Sequence, residues 1–190
     1  MNSTATRRMV LIATLVFALD QASKNLVLQF LGPTQERVIL DGFFKLVHWG
    51  NTGAAWSLFH DRNDALAVVS ALALVCLVAW RRHFHVQTLL GQLALGLICG
   101  GIAGNLFDRI DPTRRQVIDF LRFYLRRRSG EEIGYPAFNL ADSAICLGVG
   151  LLILASFLLE SAAKARPAAG SAEGGLVPRA GDQGMEDGRG

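Results

Sequence analysis

The sequence predicts an all-α membrane protein with four transmembrane helices and a small β-rich region formed by the first long loop. Two observations predict this class. Of the 190 residues, 51% are hydrophobic, and they gather in four long blocks, each close to the roughly 20 apolar residues that cross a bilayer. The length suits one domain, which we place at residues 1–160. A tail over residues 161–190, rich in Ala, Gly and charge, is predicted to be disordered.

The four predicted spans differ in how strictly apolar they are. The third runs for 22 residues without a charge, and the fourth is equally long with Asp142 as its single charge. The second is free of charge over residues 66–80, and the first is interrupted by Asp20 and Lys24. The spans are placed at about residues 9–31, 63–82, 86–107 and 138–159.

The first span resembles a cleavable signal peptide at its start, because Arg7 and Arg8 precede an apolar stretch. Two features argue against cleavage. The apolar pattern resumes after Lys24, and no clear small-x-small site precedes a polar segment. We therefore interpret this block as a retained helix.

The connections between the spans place two long loops on one side of the membrane and the chain ends on the other. Residues 32–61 and 108–137 each form a loop of about 30 residues, whereas only RRHFH joins spans two and three. RVILDGFFKLVHW in the first loop mixes β-branched and aromatic residues, which predicts short strands. LRFYLRRR at residues 121–128 either lies on an anionic lipid surface or forms a solvated loop.

Net charge and cysteine content fix neither the orientation of the protein in the membrane nor its function. The charge of +3 is ordinary for a membrane protein, and Lys and Arg do not settle its orientation because the long loops carry more of them than the other side. Cys76, Cys99 and Cys146 all fall in predicted spans, which does not indicate a disulfide framework. Buried thiols in apolar surroundings are usually inert.

Ionisable residues inside membrane spans are costly, so each is a candidate functional residue. Asp20 and Lys24 are four apart and share one helical face, where a structural ion pair is the simplest interpretation. Asn105, Asp108 and Arg109 end the third span. Asp108 opposes the helix dipole there, so a nearby cation must compensate, and Arg109 is one candidate.

Small residues occur beside these polar groups. Gly104 ends a stripe of glycines at four-residue spacing in the third span, a pattern typical of close helix packing. Gly53 and Ala54 follow Asn51 in the first long loop. Asn51 is a common turn residue, and the small residues after it would let a peptide backbone approach.

Two further carboxylates have ordinary explanations when taken singly. Asp119 lies between Ile118 and Phe120, either outward-facing on an edge strand or directed into a site, and the outward interpretation is the simpler. Asn139 and Asp142 begin the fourth span. There Asn139 suits the helix cap, and Asp142, at the third helical position, would complete a capping-box-like pair.

Capping and ion pairing do not explain why the polar residues of spans one, three and four converge on the long-loop side. In that arrangement Asp119 and Asp142 would face each other. Like charges at close range cannot both ionise, so one carboxyl keeps its proton. Such a pair can activate a water and protonate a carbonyl oxygen, which predicts peptide hydrolysis. His83 and His85 lie on the short loop, so we expect no zinc site.

Five motifs occur in order along the chain: DQASK (residues 20–24), NTGAAWS (51–57), GGIAGNLFDR (100–109), VIDF (117–120) and FNLADSAI (138–145). Together they resemble the lipoprotein signal peptidase family of bacterial aspartic peptidases, also called signal peptidase II or prolipoprotein signal peptidase. Each motif is moderately specific alone, and the ordered set is highly specific. Trp56 stands where the family usually has Phe.

The resemblance implies an intramembrane aspartic endopeptidase that removes the signal peptide from diacylglyceryl-modified prolipoproteins by cutting just before the lipidated cysteine. Asp119 and Asp142 would be its catalytic dyad. It also implies a multi-pass protein of the bacterial inner (cytoplasmic) membrane, with cytoplasmic termini and with the active site and β-rich region near the periplasmic face. The remaining motif residues would support the site or bind substrate: Asp20, Lys24, Asn51, Gly53, Gly104, Asn105, Asp108, Arg109 and Asn139.

The implied partners are the prolipoprotein substrate, membrane lipid and a globomycin-type inhibitor, with no nucleic acid, cofactor or metal. Two other functions were weighed. A small proton-coupled membrane carrier also uses intramembrane carboxylates, but it would hold them near the midplane and usually has internal repeats, and the sequence shows neither. A non-catalytic assembly factor would tolerate Asp→Asn at both dyad positions.

Overall fold

The computed structural model describes residues 3–53 and 62–165. Within them, four helices carry a four-stranded antiparallel sheet at one end. Three of the helices, α1, α3 and α4, are long and apolar enough to cross a membrane, and α2 is a shorter apolar helix of 17 residues. The elements are α1 (Ser3–Phe30), β1 (Glu36–Leu40), β2 (Phe44–Asn51), α2 (Asn63–Ala79), α3 (Leu89–Ile110), β3 (Val117–Arg126), β4 (Glu132–Gly134) and α4 (Leu140–Ala165).

A side-chain cap explains where α3 begins, whereas α2 begins without one. α2 stops at Ala79, and a 3-10 turn, Arg81–His83, leads into the connection to α3. α3 begins at Leu89 because the hydroxyl of Thr88 accepts a hydrogen bond from the Gly91 N–H, 3.0 Å away. α4 continues to Ala165, five residues into the segment predicted as tail. The rest of that segment, residues 166–190, lies outside the described residues.

α3 is the central helix and packs against α1, α2 and α4. Its glycines make this possible. A Cβ added to Gly100 would lie 2.7 Å from the Ala13 carbonyl oxygen of α1, and one added to Gly101 would lie 2.5 Å from the Ala141 carbonyl oxygen of α4. Both distances are shorter than any real contact, so the packing role predicted for the glycine stripe is confirmed.

The sheet has the strand order β1-β2-β3-β4 and draws on both long loops. The prediction that the first loop alone forms the β-rich region was therefore wrong. β3 supplies the centre of the sheet, with pairs such as Phe44 to Phe123 and Asn51 to Val117. Most of residues 121–128 belongs to β3, so the solvated-loop interpretation was wrong, and contact with a lipid surface stays a prediction. Residues 121–123 pair with β2 and residues 124–126 with β4, and the pairing with β2 is a long-range contact that local sequence does not reveal.

The sheet is fixed to the helices at the inner end of β3. Ile118 and Phe120 are buried in one cluster with Val27 and Leu31 at the end of α1. Burying four such side chains gives each about 1.5–3 kcal/mol of favourable transfer free energy. The residue between Ile118 and Phe120 is therefore held in place by both of its neighbours.

Candidate active site

Asp119 lies in β3 where the sheet meets the helices. Its Cα pairs with that of Trp49 in β2, and its side chain is buried, with the residue only 4% exposed. The outward-facing interpretation of Asp119 is therefore wrong. The adjoining positions are buried as well, which shows that this part of β3 is covered on both faces.

Asp142 occupies the first turn of α4 in a reciprocal capping box. The side-chain oxygen of Asn139 accepts from the Asp142 N–H at 3.0 Å, and the Asp142 carboxylate accepts from the Asn139 N–H at 3.2 Å. The capping prediction is confirmed. The same box fixes the carboxylate direction, so that its other oxygen accepts from the Asn105 amide at 2.7 Å.

Three asparagine amides hold the two carboxylates in place. The Asn139 side chain donates to one oxygen of Asp119 at 2.8 Å, and the Asn51 side chain donates to the other at 2.9 Å. Asn139 also donates to the side-chain oxygen of Asn105, 3.2 Å away. Asn105 and Asn139 thus link Asp142 to Asp119 through one continuous set of hydrogen bonds.

The pKa of Asp119 is unusually high for a carboxyl group. Its burial, followed by the negative charge of Asp142 nearby, raises the pKa of Asp119 to about 7, although the amides of Asn51 and Asn139 oppose the shift. Asp119 therefore keeps its proton up to near-neutral pH. A protonated carboxyl beside a second carboxyl is the arrangement that general acid–base hydrolysis requires.

Both carboxyl groups line a cleft of about 500 Å³ at the sheet end of the helices. Its walls come from the end of β2, the outer turns of α3, the inner end of β3, the segment before α4, and the first turns of α4. The lining residues are Trp49, Gly50, Asn51, Thr52, Gly53, Asn105, Arg109, Val117, Asp119, Tyr135, Pro136, Ala137, Phe138, Asp142, Ile145 and Cys146.

Asp20, Lys24 and Asp108 form a fully buried ion cluster behind the cleft. The Lys24 ammonium lies 2.8 Å from an Asp20 oxygen and 2.7 Å from an Asp108 oxygen, and all three side chains are 0% exposed. The predicted Asp20–Lys24 ion pair is confirmed. Lys24 also donates to the Asn105 side-chain oxygen at 3.0 Å, which joins the cluster to the amides around the two carboxyls.

Arg109 is not the cation that compensates Asp108. Its guanidinium donates to the Gly53 carbonyl oxygen at 3.1 Å and to the Asn105 carbonyl oxygen at 3.2 Å. Asp108 instead binds Lys24 and the guanidinium of Arg114, which lies 2.6 Å away. Arg109 is thus free to line the cleft, where it ties Gly53 to α3.

The two predicted small residues have different surroundings. A Cβ on Gly104 would lie 2.4 Å from an Asp20 oxygen, so Gly104 makes room for Asp20. Gly53 does line the cleft, and its N–H donates to the Asn51 side chain at 2.9 Å. Ala54 and Trp56 lie outside the described residues.

Sequence reasoning missed Gln21 and Arg114. The Gln21 amide donates to Asp108 at 3.1 Å and to the Gly104 carbonyl oxygen at 3.2 Å, and its own oxygen accepts from Arg114 at 3.0 Å. Gln21 stands inside the DQASK motif, so it could have been included. Arg114 lies in a loop outside every motif, and nothing in its local sequence marks it.

The chain resembles known proteins over most of its length. The family model described as "Signal peptidase (SPase) II" matches residues 12–158. The lipoprotein signal peptidase of Syntrophotalea carbinolica is 37% identical, with 80% of this chain and 91% of that protein covered. The enzyme of the same name from Aeromonas hydrophila is 38% identical, with 80% and 90% covered.

Two solved structures share the fold. Both are described as bacterial membrane enzymes determined by the in meso method. The first aligns with a TM-score of 0.67 and 26% identity over 83% of this chain and 91% of the other, and the second with a TM-score of 0.62 and 27% identity over 78% and 91%. Because the family model covers well over half of the chain and its relatives align nearly end to end, this protein belongs to the signal peptidase II family.

Proposed function

We propose that this membrane-embedded peptidase removes the signal peptide of a lipid-modified prolipoprotein with Asp119 and Asp142 as an aspartic dyad. Membership of the family makes it a protease that acts in lipoprotein processing. The single observation that carries the dyad is that two carboxyls share one cleft and one of them has its pKa raised to about 7. The carrier alternative has no support in the comparisons.

In the proposed mechanism the two carboxyls have different roles, and the raised pKa of Asp119 supports its role as the acid. Asp142 is the general base: it takes a proton from a water molecule while the water oxygen attacks the peptide carbonyl carbon. Asp119 is the general acid and gives its proton to the carbonyl oxygen. As the tetrahedral intermediate collapses, Asp142 passes its proton to the leaving nitrogen and Asp119 recovers a proton from the hydroxyl. The products are a free amine and a carboxylic acid, which then ionises in water, and the dyad returns to its starting state.

Neighbouring groups hold the substrate for this step. Arg109 lines the cleft and secures the Gly53 carbonyl, which fixes the turn that follows β2. That turn and the segment before α4 both line the cleft, and we place the extended substrate peptide against them. Ile145 and Cys146 continue the wall along α4 toward the membrane, where acyl chains of the substrate would pack.

The proposal includes four membrane spans, with the dyad at the periplasmic end and both termini in the cytoplasm of a bacterial inner membrane. At 1.5 Å per residue, the 17-residue α2 rises about 26 Å, slightly less than the roughly 30 Å hydrocarbon core. The buried ion cluster and the cleft lie together at the sheet end of the helices. A site at the end of the helices, near the membrane surface, suits a substrate whose cleavage site emerges from the membrane beside its lipid.

Cleavage of a diacylglyceryl-modified prolipoprotein by the purified full-length protein tests the proposal. Asp119→Asn and Asp142→Asn should each lower the rate by at least about 10³-fold, because each removes one proton-transfer step. Asp41→Asn is the matched control, since Asp41 is an exposed aspartate in the same sheet region. Folded Asn variants that still cut before the lipidated cysteine would refute the dyad.

Two further comparisons refine the substrate class. The same prolipoprotein without its diacylglyceryl group should be cut poorly, because it lacks the lipid that we place along α4. A globomycin-type inhibitor should compete with the lipidated substrate and raise its apparent KM. Unchanged kcat/KM for the unlipidated chain would remove the lipid from the proposal while leaving the dyad in place.

A further inference from the structure

The cluster behind the cleft contains more negative than positive charge unless Arg114 is counted. Asp20 and Asp108 are both 0% exposed, and Lys24 supplies one positive charge between them. A buried ion cluster with an unbalanced charge is strongly unfavourable, because the protein interior solvates charge poorly. A second cation is therefore required.

Arg114 is placed to supply that charge. Its guanidinium lies 2.6 Å from the Asp108 oxygen that Lys24 does not bind, and its side chain is only 11% exposed. It also donates to the side-chain oxygens of Gln21 and Asn25 on α1. Arg114 thus fastens the loop between α3 and β3 to α1, immediately before the strand that carries Asp119.

The cluster reaches the dyad through two hydrogen bonds. Lys24 donates to the Asn105 side-chain oxygen at 3.0 Å, which leaves the nitrogen of that amide to donate to Asp142 at 2.7 Å. Without Arg114, one negative charge in the cluster would be unbalanced, and the two carboxylates would hold Lys24 more strongly at the expense of its hydrogen bond to Asn105. The Asn105 amide would then lose the partner that fixes which of its ends faces Asp142.

We propose that Arg114 is a positioning residue for the peptidase reaction: it balances the buried Asp20–Lys24–Asp108 cluster and so keeps Lys24 and Asn105 directed at the dyad. The inference rests on the proposed function of Asp119 and Asp142. Arg114 contacts neither Asp119 nor Asp142 and acts on them through Lys24 and Asn105.

Charged groups from five elements surround the dyad and the cluster. Among the described residues they are Asp20 and Lys24 on α1, Asp108 and Arg109 on α3, Asp111 and Arg114 in the loop, Asp119 on β3 and Asp142 on α4.

The pH profile of kcat/KM separates this role from a merely structural one. Arg114→Gln leaves a net negative charge near the dyad, which makes both carboxyls harder to ionise and should move the whole profile up by about one pH unit. Activity on the acid side then falls about tenfold. Arg114→Lys keeps the charge and should hold the profile near its original position.

Charge balance can be restored in a second way. The double variant Asp108→Asn/Arg114→Gln removes one charge of each sign, so its profile should return toward that of the unchanged protein. Arg115→Gln is the matched control, because Arg115 is adjacent but 67% exposed, with its ion pair to Asp64 at the surface. It should leave the profile and the thermal midpoint unchanged.

An unmoved profile in Arg114→Gln would overturn the inference, as would a double variant that is as displaced or as unfolded as the single one. If Arg114→Gln does not fold, the double variant decides: a folded double variant with the original pH profile supports the inference, and a folded one with a displaced profile overturns it. These results are read beside Asp119→Asn. If that variant still cuts, the proposed dyad is wrong. If Asp119→Asn is inactive and the pH profile of Arg114→Gln is unmoved, only the role of Arg114 is rejected.

Discussion

The side-chain amide of Asn139 donates a 2.8 Å hydrogen bond to Asp119, although Asn139 also caps the helix that carries Asp142. One residue therefore fixes the start of α4 and the position of a carboxyl in the sheet. Helix capping and dyad geometry are joined at a single side chain. Substitutions at Asn139 can separate these two roles.

Asn139→Asp should separate the two roles. An aspartate retains an oxygen to cap α4 but cannot donate to Asp119 and brings a like charge to it. We expect the helix cap to be kept, but the added charge at this fully buried position lowers the thermal midpoint. We expect kcat to fall by about 10²-fold or more, as for other preorganised donors. Asn139→Ala loses about 1 kcal/mol of capping as well. Equal kcat for Asn139→Asp and the unchanged protein would contradict the assignment.

Activity should fall as pH rises through about 7. The raised pKa of Asp119, caused by burial and by the charge of Asp142, means that its proton is lost over this range, and the general acid is lost with it. The measurement is kcat/KM of the lipidated substrate between pH 5 and 9, and the apparent pKa belongs to the coupled pair. A rate that keeps rising through pH 8 would exclude Asp119 as the acid.

Stability should follow the same titration in the same direction. The folded state binds a proton at Asp119 between its unfolded pKa, near 3.8, and about 7. The contribution of Asp119 to the free energy of unfolding is therefore full below the lower value and is lost as pH rises through the upper one. Thermal midpoints at pH 5 and 8 measure this, and Asp119→Asn should show a smaller difference between them.

Gly104→Ala should disrupt the site from behind. Its added methyl group would lie 2.4 Å from an Asp20 oxygen, which must then move. We expect a loss of about 1–3 kcal/mol in the free energy of unfolding, together with reduced activity. Gly150→Ala is the control, because a Cβ there meets nothing within 4 Å. If both variants behave alike, the fit between Gly104 and Asp20 has no energetic importance.

Lys24→Met should be among the most destabilising substitutions in the chain. It leaves Asp20 and Asp108 buried with only Arg114 opposite them, and breaking a buried pair in this way costs about 3–5 kcal/mol. Adding Asp20→Asn to Lys24→Met restores the balance of charge and should recover part of the loss. The midpoint of denaturation measures both. No recovery in the double variant would show that specific hydrogen bonds, and not charge balance, dominate.

The helices could be predicted from the sequence because their signals are local. The candidate site residues came from the ordered family motifs, since the local pattern alone favoured an outward-facing Asp119, which the structure buries. Apolar blocks mark the helices, and Asn139 and Asp142 are near enough along the chain to indicate a capping box. The sheet could be predicted only in part. β3 finds its partner in β2, about 70 residues earlier by the Trp49 to Asp119 pairing, and no local pattern in residues 117–126 reveals that pairing.

Long-range polar contacts were the least predictable feature. The sequence suggested that Arg109 compensates Asp108, because the two are adjacent. The structure uses Lys24 and Arg114 instead, which reach Asp108 from α1 and from the following loop. Adjacent residues on a helix point in different directions, so neighbours in sequence are poor candidates for ion pairs.

The Ala141 N–H of α4 donates to Asp20 of α1 at 3.0 Å. The last described helix therefore completes a site whose first polar residue, Asp20, lies in the first helix. Translation and membrane insertion proceed from the N-terminus. A nascent chain that has reached residue 137 already contains Asp20, Lys24 and Asp119, yet it has neither Asn139 nor Asp142. If Asp119 and Asp142 form the proposed dyad, such a chain carries only half of it, and proteolytic competence arrives only when the final helix docks.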